Sequence, residues 1–326
     1  MSPLVSILIP TLNRPGFLRE AIDSALAQTY PNFEVLVFDN GTMAETRAVG
    51  EDVMRRDNRV RFHRNERNLG MSANFNALAD AARGECAVAI GDDDRLLPEF
   101  LAQLVPRMEP RVRVVFSNQY LIDASGQRFE ERTKAHARRY GRDKLPAGVI
   151  EHSDVAAWRL SFPMSASLLR TADLRRLRFR EELNTPDVDF FIRLAQEGAT
   201  FCFVPQYLME YRVHSAAETA GGLWTEQLVE CLSPYEVRPE VEVYKREFLA
   251  PMVVNAVSRC LQRGEMERAR ALLRNKYYPS GTQLALSSSL GGWLQGFCAH
   301  LPASLGVPIY RAARRARHVG AGPRDC

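Results

Sequence analysis

Val5-Ser6-Ile7-Leu8-Ile9-Pro10-Thr11-Leu12-Asn13-Arg14-Pro15 is a short apolar run that meets a proline and gives way at once to polar turn residues. Leu4 to Ile9 reads as a strand. Beyond it, Phe17 to Gln28 carries apolar residues at Leu18, Ala21, Ile22, Ala25 and Leu26, the spacing of an amphipathic helix. The alternation then repeats. Phe33 to Phe38, Val60 to His63 and Cys86 to Ile90 read as strands, and Met43 to Arg55 and Met71 to Ala82 as helices. Pro98 to Met108 reads as a further helix and Val112 to Ser117 as a strand. Short strands apolar on both faces and separated by helices predict an α/β fold, a mostly parallel sheet with helices on both faces. Arg128 to Gly148 is polar and Arg/Lys-rich without a period, which predicts an exposed loop between two halves of one domain. A helix from Val188 to Glu197 ends at Gly198, and strands are expected at Thr200 to Val204 and Leu208 to Val213.

Composition bounds the function. The 326 residues are 25% charged and 46% hydrophobic, ordinary for a globular chain and unlike a disordered or collagenous one. A net charge of +4 is too small to argue for a nucleic-acid partner. The six cysteines are scattered, with no C-x-x-C pair and no zinc spacing, as expected of thiols in a reducing cytosol. Met1-Ser2-Pro3 runs straight into the first strand without a basic n-region, so the expected location is cytoplasmic.

In open α/β sheets ligands bind beyond the carboxyl ends of the strands, which directs attention to the turn after each strand. Pro10 to Pro15 lacks the glycine-rich phosphate loop of dinucleotide-binding and P-loop proteins. Asp39-Asn40-Gly41 places a carboxylate at a strand end, although the same triplet is ordinary turn chemistry. Asn68-Leu69-Gly70-Met71-Ser72 opens a helix, with Ser72 as a candidate N-cap and Asn74 and Asn76 on its first turns. Gly91-Asp92-Asp93-Asp94 is the strongest signal. Three adjacent carboxylates repel by roughly 1 kcal/mol per close pair even in water. A divalent cation with hard oxygen ligands, Mg²⁺ or Mn²⁺, compensates them; a solvated acidic turn before Pro98 is the simpler alternative.

Order and spacing of these pieces resemble family 2 glycosyltransferases of the GT-A fold over roughly residues 4 to 215. The resemblance rests on Val5 to Arg14, Ala27-Gln28-Thr29-Tyr30-Pro31-Asn32-Phe33-Glu34-Val35, Asp39, Asn68-Leu69-Gly70, Asp92-Asp93-Asp94 with Leu97-Pro98, and Asp187-Val188-Asp189-Phe190-Phe191-Ile192-Arg193-Leu194. It implies that Pro10, Thr11, Asn13, Asp39, Asn68, Gly70, Asn76 and Asp92 line the nucleotide. It also implies a D-x-D metal element. Counting back from Pro98 selects Asp93 as the metal ligand, whereas a literal D-x-D selects Asp92 and Asp94. Gly91 stands where the family often has another Asp. Asp187 falls at the catalytic base, with Pro186 where an acid usually precedes it; alone, Asp187 also reads as a helix N-cap and Asp189 competes for the role. His214 matches a family metal ligand on a closing loop. Arg212 is expected either to pair with phosphate or to be solvated, and Ser161 to Leu169 to form an acceptor-side wall. The implied activity is inverting, metal-dependent transfer from a nucleoside-diphosphate sugar, UDP or dTDP favoured, to a glycan, lipid-linked or small-molecule hydroxyl. A nucleotidyltransferase would show a glycine-rich loop with Arg and Lys, which is absent; a catalytically silent nucleotide-sugar-binding protein is the reading from another class.

The domain division expected is a catalytic part over 1–220, its nucleotide-sugar half about 1–117 and its acceptor half about 118–220, and a helical part over 221–326. Leu223 to Leu232, Val241 to Gln262 and Glu265 to Lys276 are the expected helices. Charge divides as unevenly as structure. Residues 1–250 hold 32 basic and 36 acidic side chains, and residues 251–326 hold 11 and 3. Trp293, Leu294, Phe297, Leu301, Leu305, Val307, Ile309 and Tyr310 precede Arg311, Arg314, Arg315, Arg317 and His318. That order fits an element at an anionic membrane surface, which would make the protein peripheral at the inner face of the cell membrane, and equally a helix docked within the protein or in a homodimer.

Overall fold

The computed structural model describes residues 2–213, 225–279 and 290–319. It divides into two compact units, Met1–Leu223 and Trp224–Cys326. The first is built on one sheet in which β1 (Val5–Thr11), β2 (Phe33–Asp39), β3 (Val60–Arg64) and β4 (Cys86–Ala89) run parallel. β5 (Arg95–Leu96), β6 (Val112–Ile122), β7 (Gly148–Ile150), β8 (Ser167–Arg170) and β9 (Thr200–Arg212) complete it, in the order β3-β2-β1-β4-β8-β6-β9-β5 with β7 beside β9.

The apolar runs form central strands because both faces are covered. Val5, Ile7, Leu8 and Ile9 of β1 and Val35, Leu36 and Val37 of β2 are fully buried. Helices α1 (Pro15–Leu26), α2 (Ala44–Arg56) and α3 (Met71–Ala81) are the crossovers between the parallel strands. Pro15 starts α1, its fixed φ suiting a first helical turn. The expected helix at Pro98 to Met108 is shorter, α4 (Phe100–Leu104) followed by a 3₁₀ turn.

Reversal of β8 between β4 and β6 shapes the edge that carries the site. Since β8 is antiparallel to both, β4 and β6 point the same way, and β9 is parallel to β6. The carboxyl ends of β1, β2, β3, β4, β6 and β9 therefore share one edge with the start of β8.

Two local expectations are corrected. Residues 128–148 are not a loop throughout: α5 (Glu130–Arg139) and a 3₁₀ turn at Arg142–Lys144 fall within them. Only Thr133 and Ala137 of α5 are buried, so the helix leaves no apolar period in the sequence. Its anchor is polar, the Thr133 hydroxyl accepting the Leu121 N–H at 2.9 Å. The two strands expected after Thr200 are one, β9, in which Pro205 sits at a register shift and its carbonyl accepts Asn118 Nδ2 at 2.9 Å.

Past β7 lie α6 (Ser153–Trp158), α7 (Thr171–Leu177) and α8 (Pro186–Gln196). α8 buries Phe190 and Phe191, and the Phe191 ring joins Phe162 and Phe201 in an aromatic cluster with Phe116 and Phe203. Four thiols of the chain, Cys86, Cys202, Cys260 and Cys298, are buried.

The second unit is helical: α9 (Thr225–Leu232), α10 (Pro239–Arg263), α11 (Met266–Leu273) and the helices Leu290–His300 and Ala303–Val319. α10 stops at Gly264, whose φ of +83° is open to glycine at little cost and ends the helix in a left-handed cap. Inside, Gln295 Nε2 donates to Val254 O and to the Ser258 hydroxyl, joining the Leu290–His300 helix to α10. Among the described residues no helix is long and apolar enough to cross a membrane.

Candidate active site

Thr11, the last residue of β1, is buried, and its hydroxyl donates to Asp92 Oδ2 at 2.7 Å. The Leu12 N–H reaches the same oxygen at 3.4 Å, and Arg14 Nη1 lies 3.3 Å from Asp92 Oδ1 and 3.0 Å from Asp93 Oδ2. The turn after β1 is thus bonded to the turn after β4 by a hydroxyl, an amide and a guanidinium. Burial still dominates at Asp92, whose carboxyl is pushed up to about 6 by loss of solvent, more than Thr11 and Arg14 pull it down.

Asp94 turns inward. Its carboxylate accepts the Arg212 backbone N–H at 3.0 Å and a bond from the Ser165 side chain, yet burial and the neighbouring Asp93 raise its carboxyl well above the usual range. Asp93 keeps more access to solvent, its side chain 15% exposed against 7% for Asp92. Gly91 makes this shape possible: a Cβ there would lie 2.6 Å from Asp93 Oδ1. The residue that departs from the common family form is the one that lets the Asp93 side chain fold back over the turn.

Arg212 is neither solvated nor available to phosphate. Its side chain is fully buried, Nε donates to Asp93 O at 2.8 Å, Nη1 to Asp123 O and Ala124 O, and Nη2 pairs with Glu20 at 2.6 Å. The guanidinium also lies over the Phe17 ring at 4.7 Å. It pins the backbone of the acidic turn. Neither Glu20 nor Ser165 carries a sequence signal for this work, because each meets its partner only through the fold.

At the end of β2, Asp39 is completely buried, with Oδ1 accepting the Gly41 N–H at 2.7 Å and Oδ2 accepting Arg64 Nε and Nη2 at 2.9 and 2.6 Å. Arg64 ends β3, directly across from Asp39 in the strand register. Asn13, at φ +56°, turns its side chain back to accept the N–H groups of Thr42 and Met43, both at 3.0 Å, at the start of α2. Asn68 Oδ1 accepts the Gly70 N–H, and Gly70, at φ +82°, precedes α3. Asn40, Asn65 and Asn74 form one amide network against the Gly70 and Phe38 carbonyls.

Asn76 does not join this edge chemically. Its Nδ2 donates to Phe179 O at 2.9 Å and its Oδ1 accepts the Phe179 N–H at 2.8 Å, so its amide ties α3 to the segment before α8. The expectation that it contacts nucleotide is therefore replaced by a structural role. Ser72, expected as a cap, donates to Leu183 O at 3.3 Å in the same segment.

The two acids of α8 separate clearly. Asp189 is fully buried, with Oδ2 2.7 Å from Arg193 Nε and 3.2 Å from Arg180 Nε. Asp187, in the first helical turn, is partly accessible; loss of solvent raises its carboxyl, partly offset by its own and the Val188 N–H. Pro186 occupies the first position of the helix, where no N–H is required. His214 lies outside the described residues. Among the described residues no group of three or more His, Cys, Asp or Glu converges as an all-protein metal site. Asp93 beside the desolvated Asp92 is instead an incomplete set of oxygen donors, the kind a Mg²⁺ or Mn²⁺ ion completes with water and phosphate oxygens.

Comparison with known proteins gives the family. The Glycosyl transferase family 2 profile matches residues 6–162. An uncharacterized protein of Mycobacterium tuberculosis is 30% identical over 257 residues, 72% of this chain and 79% of that one. An uncharacterized glycosyltransferase of Methanocaldococcus jannaschii is 29% identical over 216 residues, 65% of this chain and 71% of that one. The Campylobacter jejuni GalNAc(5)-diNAcBac-PP-undecaprenol beta-1,3-glucosyltransferase is 26% identical over 200 residues, 61% and 62% of the two chains. Among solved structures, S. aureus TarS 1-349 in complex with UDP-GlcNAc superposes with a TM-score of 0.65 at 18% identity, covering 98% of this chain and 93% of that one. The mannosyltransferase PcManGT from Pyrobaculum calidifontis, in complex with GDP-Man and Mn²⁺, gives 0.57 at 17%, covering 96% and 87%. With the same GT-A-type sheet and the sequence relationship behind it, the chain belongs to glycosyltransferase family 2.

Proposed function

We propose that the protein is an inverting, metal-dependent glycosyltransferase that moves a sugar from a nucleoside-diphosphate sugar, UDP or dTDP favoured, to a hydroxyl of a glycan, lipid-linked or small-molecule acceptor. The observation that carries this reading is the single sheet edge where Thr11, Asp39 and the Asp92–Asp94 turn end, with Asp92 and Asp94 held as desolvated carboxylates.

Asp39, held in place by Arg64 and the Gly41 amide, lies at the end of β2 where the base would bind, with Pro10, Thr11, Asn13, Asn68 and Gly70 shaping the surrounding turns. Asp93, with Asp92, would hold Mg²⁺ or Mn²⁺; Asp94 anchors the turn through Arg212, and His214 is a further candidate ligand. When bound there, such a cation would neutralise the charge that develops on the departing diphosphate. The Mn²⁺ in the Pyrobaculum complex supports this assignment.

Asp187 is the general base. Asp189 is committed to two guanidinium groups, whereas the Asp187 carboxyl is raised, which makes its carboxylate a stronger proton acceptor for the attacking hydroxyl. One base and one direct displacement invert the anomeric centre. The undecaprenol-linked substrate in the name of the Campylobacter relative supports a lipid-linked acceptor and a part in bacterial surface-glycan assembly at the inner face of the membrane.

The test is diphosphate release from a panel of UDP-, dTDP- and GDP-sugars with Mn²⁺. Asp187→Asn is expected to lower turnover by roughly 10²–10⁴-fold with nucleotide binding retained, and Asp93→Ala to remove the Mn²⁺ dependence. If wild type released no diphosphate above both variants with any donor or acceptor, the chain would be a nucleotide-sugar-binding protein without transfer activity.

A further inference from the structure

Arg142, at the start of the 3₁₀ turn after α5, is only 3% exposed, and its hydrogen bonds go to neutral groups. Nε donates to Asn118 Oδ1 at 3.2 Å, Nη2 lies 2.8 Å from His136 Nδ1, and the guanidinium faces the Tyr140 ring at 5.5 Å. Among the described residues Nη1 has no hydrogen-bond partner. No carboxylate pairs with the group either, its exposed chain neighbour Asp143 included. Arg212, also buried, shows the contrast, since Glu20 and backbone carbonyls surround it. A buried cation without a counter-ion is costly to fold around. Burial pushes the Arg142 guanidinium down to about 10, which leaves it charged at neutral pH. Burial, with the charges of Arg142 and Arg139, pushes His136 down to about 4, so the imidazole beside it is neutral. A tie between Asn118 and His136 needs no formal charge; a site for an anion does.

We propose that this turn carries a second ligand site, in which the Arg142 guanidinium, with Arg139 at its rim, binds a phosphate-type oxyanion. The surroundings share one sign. Between Arg132 and Arg142 the sequence has no Asp or Glu, and Arg138 and Arg139 are exposed on α5. The Arg159 guanidinium packs against Gly141, where a Cβ would lie 3.6 Å from Arg159 Cζ. Guanidinium holds phosphate oxygens through two parallel N–H bonds, and Nη1 with the second N–H of Nη2 is the pair left for them. A dianion offsets both Arg142 and Arg139, which a carboxylate does not. Asn118, which orients Arg142, lies in the carboxyl half of β6, the strand that ends on the same edge as the acidic turn. Two sources supply this chemistry, a phosphate ester on the acceptor and free phosphate. The ester rests on the transfer reaction proposed above; the site itself does not, and its test uses no activity.

Titration of the full-length protein with inorganic phosphate near neutral pH, without donor or metal, reads the site through the His136 imidazole signal in NMR, assigned by its loss in His136→Gln. A saturable movement of that signal is expected, with an affinity that falls as salt rises. Arg142→Met should weaken phosphate binding at least about tenfold, through loss of the charge-assisted bonds, and Arg139→Gln about two- to fivefold. Arg139→Gln, at an exposed position, keeps the test open if Arg142→Met fails to fold. Methyl phosphate separates the two sources: binding on a par with inorganic phosphate assigns the site to an ester, and its exclusion assigns the site to the free anion. No movement of the His136 signal, an equal response to acetate at the same ionic strength, or undiminished binding by folded variants would overturn the proposal and leave Arg142 as a tie between α5 and β6.

Discussion

Asp92→Asn is expected to stabilise the protein at neutral and alkaline pH while impairing its chemistry. The Asp92 carboxyl is nearly buried at the end of β4 and titrates near 6 in the folded chain, against about 3.9 for an unstructured Asp. Between these values the folded state holds a proton that the unfolded state has released, so stability falls as pH rises through that window and levels off above it. Two pH units at about 1.4 kcal/mol each set a ceiling of about 3 kcal/mol on the cost of the ionised carboxylate. An amide keeps the volume and an oxygen for the Thr11 hydroxyl but has its own burial cost, leaving roughly 1–3 kcal/mol of gain. At about 2–4 °C per kcal/mol for a unit of this size, the variant should melt ~2–12 °C above wild type near pH 8 and level with it near pH 4. Asp94 and Asp187, whose carboxyls are also raised, are present in both proteins and cancel in the difference to first order. Differential scanning fluorimetry from about pH 4 to 8, without added metal, measures the two curves. A difference that does not change with pH, or a variant less stable than wild type near pH 8, would refute the reasoning that this carboxylate is kept ionised against its environment.

Other substitutions separate charge, space and scaffold. Gly91→Ala should drive the Asp93 carboxylate off its turn and lower turnover at least about tenfold, with a stability loss of no more than about 3 kcal/mol, the upper end of the usual range for overpacking; near-normal turnover would show that the position of Asp93 is not critical. Arg14→Ala removes a guanidinium that competes with a cation for Asp92 and Asp93, so Mn²⁺ affinity measured by electron paramagnetic resonance should rise several-fold. Weaker Mn²⁺ binding would instead make Arg14 a support of the metal site. Asp189→Ala leaves Arg193 without its buried partner and should cost about 3–5 kcal/mol by urea unfolding, against less than ~1 kcal/mol for Asp187→Asn; equal costs would remove the distinction between scaffold acid and base.

Legibility varied with the kind of interaction. Strands β1, β2, β3 and β4 are visible in sequence because burial on both faces leaves continuous apolar runs. Helix α5 is not, since its seat against β6 is a hydroxyl and one alanine rather than an apolar stripe. Arg212 shows the same limit at the site. Nothing around residue 212 announces that its guanidinium will meet Glu20, Asp93, Asp123 and Ala124, groups between 88 and 192 residues away in the chain.

By itself the sequence determined the α/β alternation, the turns after its strands and the acidic run among them, since periodicity, prolines and glycines act over a few residues. Only the tertiary structure decided what surrounds each acid. It buries Asp189 between Arg193 and Arg180, turns Asp94 inward to the Arg212 amide, leaves Asp93 nearest solvent and keeps Asp187 partly accessible at a helix start. The same carboxylate becomes a buried ion-pair partner, an anchor for a backbone amide or a partly accessible acid according to its solvent and its nearest cation, and both are set by segments that meet only after folding.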